Sequence, residues 1–132
     1  MEWTDELKEK YSRWKKLINM SASQIQSFLD SEDGKVAGLS RKEAGKLKIS
    51  SGRDSARAII RMLGKKREDW DTSDIKWMNK QLSFLARMLG NAGPLYDDKG
   101  RKTRKHLSLL VWGHNPAKKL NEHYDIANNL LD

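Results

Sequence analysis

Apolar residues recur every three or four positions through most of the chain, which is the spacing of one face of an α-helix. Each such stretch begins after a small polar residue that can accept hydrogen bonds from the free amides of a first helical turn. The predicted N-caps are Thr4, Ser21, Ser40, Ser51, Asp71, Thr103 and Asn115. The pattern predicts an all-α fold, a compact bundle of six or seven helices forming one domain over residues 1–132.

The longest predicted helix covers residues 72–89 and is the expected core helix. Its apolar residues cover an arc wide enough for a central position in a bundle: Ile75, Met78, Leu82, Leu85 and Leu89, broadened by Trp77, Phe84 and Met88. Residues 31–38, which include two glycines, are predicted to form a loop. A basic loop and the C-terminal helices are expected over 99–132.

One short helix, between Ser51 and Gly64, combines a core face with a row of cations. Gly64 is expected to end it in the left-handed conformation. Its apolar stripe consists of Ala56, Ile59, Ile60 and Leu63. Arg53, Arg57 and Arg61 recur every four residues beside that stripe. The helix is therefore expected to hold the fold with one face and to present positive charge with another.

The chain over residues 39–63 is similar to a helix-turn-helix, with a helix opened by Ser40 and Glu43, a turn, and then the arginine-bearing helix. Two features depart from that motif. Lys48 stands where the motif prefers glycine, and the second helix starts about two residues late, at Gly52. An ordinary corner between two helices explains the pattern equally well, and both interpretations stay open.

The formal charge of +8 is concentrated in two segments. Residues 35–67 carry eleven basic and two acidic side chains, and residues 99–106 carry five basic side chains and no acid. Clustered positive charge is typical of a surface that binds a polyanion. A solvated basic surface that keeps the protein in solution is the simpler alternative, and we favour the polyanion.

The candidate nucleic-acid-binding residues come from these two segments and are Lys46, Lys48, Arg53, Arg57, Arg61, Lys65, Lys66, Arg67, Arg101, Lys102, Arg104 and Lys105. Most are expected to contact phosphates, which gives affinity with little sequence discrimination. The helix that carries Arg53 is the candidate for reading bases in the major groove. The predicted partner is DNA. The alternatives are RNA, or an acidic protein partner within a bacterial or phage assembly.

The sequence offers little for catalysis, and we expect no enzymatic activity, cofactor or metal. The chain has no cysteine, and its three histidines, His106, His114 and His123, do not form a metal-binding motif. His114 beside Asn115 resembles a nuclease pair, but lacks the accompanying metal ligands. A structural role is favoured, with the His114 ring hydrogen-bonded to backbone at the junction of the last two helices.

The chain carries no pattern of a membrane span or a signal peptide. There is no run of eighteen apolar residues, and the N-terminal residues are acidic where a signal peptide is basic. With no cysteine for disulfides, this composition fits a cytoplasmic protein, associated with the nucleoid if it binds DNA.

Three landmarks in this order resemble a family. They are Asn19-Met20-Ser21, then Ser51-Gly52-Arg53 with Lys65-Lys66-Arg67, then Trp112-Gly113-His114-Asn115-Pro116. They are similar to an uncharacterised group of small bacterial proteins that commonly carry the label "DNA-binding protein". The resemblance spans about Tyr11 to Pro116. The family usually ends Gly-His-Asp-Pro, so Asn115 departs from it. The resemblance implies a helical fold and a DNA partner, and it implies no catalytic residue.

Overall fold

A computed structural model describes residues 2–38, 41–48 and 50–118 of the chain. These residues contain seven α-helices: α1 (Asp5–Leu17), α2 (Ala22–Asp30), α3 (Glu32–Val36), α4 (Arg41–Lys46), α5 (Gly52–Leu63), α6 (Thr72–Gly90) and α7 (Arg104–Val111). A short 3-10 helix, Arg67–Asp69, lies between α5 and α6. Within the described residues, the strand-like pairing is one isolated bridge between Tyr96 and Lys102. The all-α prediction is therefore confirmed.

Most of the predicted N-caps are present. Thr4, Ser51 and Thr103 each accept a hydrogen bond from the third amide of α1, α5 and α7 respectively. Ser21 and Asp71 form full capping boxes at the starts of α2 and α6. Ser40 and the helix predicted after Asn115 lie outside the described residues, although the Asn115 side chain accepts from the Ala117 amide at 3.0 Å.

The prediction of a loop over residues 31–38 is wrong, because this stretch contains α3. Ser31 ends α2 and begins α3, since its Oγ donates to the Phe28 carbonyl at 2.6 Å and accepts from the Gly34 amide at 3.0 Å. Gly34 is buried against the end of α2, where a Cβ would overlap the Phe28 carbonyl oxygen. The glycine that suggested a loop is therefore required for the close approach of two short helices.

The prediction of a left-handed Gly64 is also wrong. Its φ is −81° and its ψ is −5°, so it stays in the right-handed region. Its amide donates to the carbonyls of Ile60 and Arg61, at 3.3 and 3.2 Å, and this tightens the last turn of α5. The helix continues its own hydrogen bonding to the end, so a left-handed residue is not needed to satisfy its carbonyls.

The core lies around α5, which packs against α2, α6 and α7, while α1 packs along α6. The expected core helix α6 packs against α1, α5 and α7, and α7 packs against α2, α3, α5 and α6. A buried polar network ties three helices together. Trp14 Nε1 donates to Gln81 Oε1 at 2.7 Å, and Gln81 Nε2 lies 3.2 Å from Ser55 Oγ. Among the described residues, Trp3 Nε1 is a buried side-chain donor without a hydrogen-bond partner, whereas the atoms of this network are paired.

The connection between α4 and α5 has an unusual backbone. Lys48 has a φ of 58°, in the left-handed region that glycine prefers. Lys48 thus adopts the conformation of the glycine whose place it takes in the helix-turn-helix pattern. The motif itself stays a prediction. Within α5, the exposed side chains are those of Arg57 and Arg61, so this helix presents only a narrow strip to solvent.

Candidate nucleic-acid interface

The row of arginines on α5 is largely engaged within the fold. Arg53 reaches back to the α2–α3 junction, where its guanidinium donates to the Gly34 carbonyl at 2.6 Å and to the Leu29 carbonyl at 3.4 Å. These are carbonyls at the C-terminal ends of short helices, where a cation also interacts favourably with the helix dipole. Arg53 therefore fastens α2 and α3 to α5.

Arg61 and Lys65 share one buried carboxylate, that of Asp74 at the start of α6. Asp74 is fully buried and lies 3.2 Å from the Arg61 guanidinium and 2.9 Å from the Lys65 ammonium. Burial raises the pKa of Asp74, but hydrogen bonds from Lys65, the Asp71 amide and Arg61 outweigh it. The pKa therefore lies below its ordinary value. These two cations neutralise an interior charge.

The other two candidate arginines of this segment also have partners in the fold. Arg57 lies 3.4 Å from the Asp54 carboxylate, one turn earlier on the exposed side of α5. Arg67 lies over the rings of Trp3 and Tyr11, with its guanidinium carbon 5.3 and 5.7 Å from their centroids. Arg67 thereby covers an aromatic cluster that joins the N-terminus to the end of α5.

The second basic segment is engaged in a similar way. Arg101 lies 3.2 Å from the Asp97 carboxylate, and Lys102 lies 3.4 Å from that of Asp33 on α3. The pKa of Asp97 is lowered, chiefly because its carboxylate accepts hydrogen bonds from the backbone amides of Arg101 and Lys99. Lys105 donates its Nζ hydrogen to the Asn91 carbonyl.

Four of the twelve candidate residues remain exposed without a side-chain partner in the part of the chain that the structure describes. They are Lys46, Lys48, Lys66 and Arg104. Lys48 belongs to the first basic segment and Arg104 to the second. Both line the same concave surface, so the two segments converge there through one residue each.

This concave surface, which we name the cationic groove, lies between the Lys48 turn, α6 and α7 and has a volume of about 870 Å³. Its charged lining residues are Lys48, Lys80, Arg87 and Arg104, and no carboxylate of the described residues lines it. All four cations are exposed, and Lys80 Nζ also lies over the Trp77 ring, 4.8 Å from its centroid. Like charges at one concavity produce a positive potential that attracts anions.

Aromatic side chains form the floor of the cationic groove. The rings of Phe84 and Trp112 are stacked, with centroids 4.3 Å apart and an interplanar angle of 14°. Gly52 begins α5 directly beside this pair, where a Cβ would lie 2.8 Å from Val111 Cγ1 and 3.2 Å from Trp112 Nε1. The absence of a side chain at Gly52 therefore lets the start of α5 approach the groove floor.

One donor on this floor is unused. Trp112 is 7% exposed, and its Nε1–H donates to no atom of the described residues. The comparable indole groups of Trp14 and Trp70 donate to Gln81 and to the Met62 carbonyl. Trp3 Nε1, outside the groove, is buried without a partner, whereas Trp112 Nε1 is not fully enclosed and can donate to an acceptor from outside the protein.

Sequence reasoning missed Lys80 and Arg87, because residues 68–98 carry more acidic than basic side chains. The available signal was their helical spacing. Asn79, Ser83 and Arg87 recur every four residues on α6, with Lys80 beside them. This polar strip faces away from the core residues Met78, Leu82 and Leu85 that the apolar pattern identified.

The histidines of the described residues have structural partners. His114 Nδ1 lies 2.7 Å from the Leu17 carbonyl, so its ring does bond to backbone, but the partner lies at the end of α1 and not at the predicted junction of the last two helices. His106 Nδ1 lies 3.0 Å from the Leu95 carbonyl. No group of three or more metal-binding side chains occurs among the described residues. None of the helices described is long and apolar enough to cross a membrane.

The chain belongs to the family described as "Protein of unknown function" (DUF3140), which matches residues 13–110. The matched stretch contains the landmarks Asn19-Met20-Ser21 and Ser51-Gly52-Arg53 and all four cations of the groove. It stops before Trp112. The expectation of an uncharacterised family is confirmed, and the DNA-binding label stays a prediction. No curated protein and no solved structure matches the chain.

Proposed function

We propose that this protein binds DNA without catalysing a reaction on it, and that the cationic groove makes the main contacts to the phosphate backbone. The observation that supports this proposal is the convergence of Lys48, Lys80, Arg87 and Arg104 on one concavity without a lining carboxylate. Phosphate contacts from lysine and arginine supply most of the affinity in non-specific DNA binding.

The contacts of other cations within the fold reduce the surface available for phosphates. Arg53, Arg61 and Lys65 donate to carbonyls or to a buried carboxylate, so contact with a phosphate would require them to leave those partners. An exposed cation without such a partner contacts a phosphate at no structural cost. Lys46 and Lys66 are exposed cations of this kind outside the groove and are assigned a supporting role.

The proposal is tested by fluorescence-anisotropy titration of labelled DNA at low salt. The double variant Lys48→Ala/Arg104→Ala is expected to bind at least tenfold more weakly, because it removes two phosphate contacts of roughly 1 kcal/mol each. Its matched control is Lys8→Ala/Lys76→Ala, which lowers the net charge equally at two exposed positions outside the groove. Equal losses in both variants would show that total charge, and not the groove, governs binding.

An acidic protein partner of a bacterial or phage assembly is the second candidate. The observation that favours it is Leu47, which is 62% exposed between Lys46 and Lys48. An exposed apolar side chain flanked by cations is typical of a protein interface. Association with an acidic protein that excess DNA does not displace would support this candidate and contradict the first.

A further inference from the structure

The shape of the cationic groove restricts which form of nucleic acid fits it. Its volume of about 870 Å³ is within the range of cavities that enclose single small ligands, about 300–1,000 Å³. A double helix is convex and presents its phosphates outward, with its bases stacked inside. A concavity between two helices can therefore enclose a nucleotide of one strand, but not a duplex.

The floor of the groove suits a base. Phe84 is half-buried and lines the groove together with Met88, so part of its apolar surface faces the cavity. Proteins that bind single strands combine aromatic side chains, on which bases pack, with cations that follow the backbone. Phe84 is supported from below by the stacked Trp112 ring, which holds it in place.

The groove also offers donors to a phosphate at its α5 end. Trp112 is more than nine-tenths buried, and its unpaired Nε1–H lies beside Gly52 at the start of α5. Lys48 and Arg104 line the same concavity. An indole N–H, a helix start and two cations make a set of donors for an anionic oxygen, whose charge the positive end of the helix dipole also favours.

We infer that the cationic groove takes an unpaired nucleotide of single-stranded DNA, with its phosphate against Lys48, Arg104 and Trp112 Nε1–H and its base against Phe84. This inference rests on the proposed function and specifies its substrate. Lys80 and Arg87, on the α6 side, are assigned to the neighbouring phosphates of the same strand.

The test compares matched DNA ligands on the full chain by anisotropy. The first is a single strand of about eight nucleotides, within the site sizes of known single-strand binders. The second is a duplex with the same number of phosphates, and the third is the single strand with abasic positions, which keeps the charge and removes the bases. We expect the single strand to bind about tenfold tighter than the duplex, and abasic positions to weaken it about fivefold.

A protein variant gives an independent readout. In Phe84→Leu, the difference in affinity between the intact and the abasic strand is expected to disappear. The bases of the intact strand then have no Phe84 ring to pack against, so they add nothing that the abasic strand lacks. Leu89→Ala is the matched control, since it shortens an exposed apolar side chain on the same helix outside the groove. The comparison between two ligands is internal to each variant, so a partly destabilised Phe84→Leu sample still reports on stacking.

The outcomes separate this inference from the proposed function. Equal or tighter binding of the duplex, with no effect of abasic positions, overturns the unpaired nucleotide and leaves DNA binding in place. Tighter binding of an RNA strand of the same sequence overturns the assignment to DNA. No binding of any strand at low salt overturns both proposals.

Discussion

At the scale of single residues, Asp74 shows how this basic chain uses part of its charge internally. Its carboxylate is fully buried and accepts from Arg61, Lys65 and the Asp71 amide. A buried charge is tolerated when it is paired and hydrogen-bonded, and removing it leaves the partner cations without compensation. Asp74 therefore stabilises the packing of the start of α6 against the end of α5.

We expect Asp74→Asn to lower the free energy of unfolding by about 2 kcal/mol at pH 7, because charge-assisted hydrogen bonds are lost. The pKa of Asp74 is lowered in the folded state, so this contribution is present above the ordinary carboxyl value of about 4. It is lost as the pH falls through the lower folded value. Urea unfolding at pH 7, 5 and 3 measures the difference in the free energy of unfolding between wild type and variant. This difference should become smaller only at pH 3.

The control for this measurement is Asp69→Asn, at an exposed aspartate whose side chain has no partner among the described residues. It should change the stability by less than about 0.5 kcal/mol at every pH. A gap for Asp74→Asn that stays constant to pH 3 would contradict the assigned charge pairing.

The residue scale also shows what the sequence could and could not predict. The spacing of Arg53, Arg57 and Arg61 correctly placed them on one side of α5. It could not reveal their partners, since the Gly34 carbonyl and the Asp74 carboxylate belong to elements that meet α5 only in the folded chain. A cation on a helix face looks the same in sequence whether it binds a ligand or another part of the protein.

At the scale of elements, the N-caps of the helices were predictable from sequence, but the close packing of one helix backbone on another was not. A cap depends on residues three positions apart, and Ser21 with Gln24 or Asp71 with Asp74 could be identified directly. Gly34 instead depends on the packing of α3 on the end of α2, and sequence reasoning took it for a loop residue. The length of α3, five residues, also left no periodicity to detect.

The role of Gly34 is testable by substitution. Gly34→Ala is expected to destabilise the protein by about 3 kcal/mol, because its Cβ would overlap the Phe28 carbonyl and lie 2.9 Å from Leu29 Cα, which are backbone atoms. Gly45→Ala is the matched control within α4, where a Cβ meets nothing within 4 Å. There alanine should raise the stability by about 0.5–1 kcal/mol through helix propensity.

Thermal unfolding followed by circular dichroism measures both variants. Equal effects would contradict the close approach of α2 and α3, because propensity by itself predicts the same gain at both positions. A loss of stability in Gly34→Ala together with a gain in Gly45→Ala would place the requirement for glycine at this junction. Arg53 also donates to the Gly34 carbonyl there.

At the scale of the whole molecule, the net charge overstates the surface available to a polyanion. The formal charge is +8, but Arg61 and Lys65 face a buried carboxylate, and Lys102 faces Asp33. Charge segregation along the chain suggested the polyanion hypothesis, which stays a prediction. The cationic groove could not be located in that way, because Lys80 and Arg87 come from a net acidic segment.

This distribution predicts the salt dependence of binding. If the four cations of the groove each neutralise a phosphate of a single strand, the slope of log affinity against log salt is about −3. Lys48→Ala/Arg104→Ala should reduce the magnitude of this slope to about half, and Arg57→Glu/Arg61→Glu should change the slope far less.

A steeper wild-type slope, near −6, would mean that cations outside the groove also contact phosphates. If the Arg57→Glu/Arg61→Glu variant then lost most of that slope while remaining folded by circular dichroism, the exposed strip of α5 would be the binding surface in place of the groove.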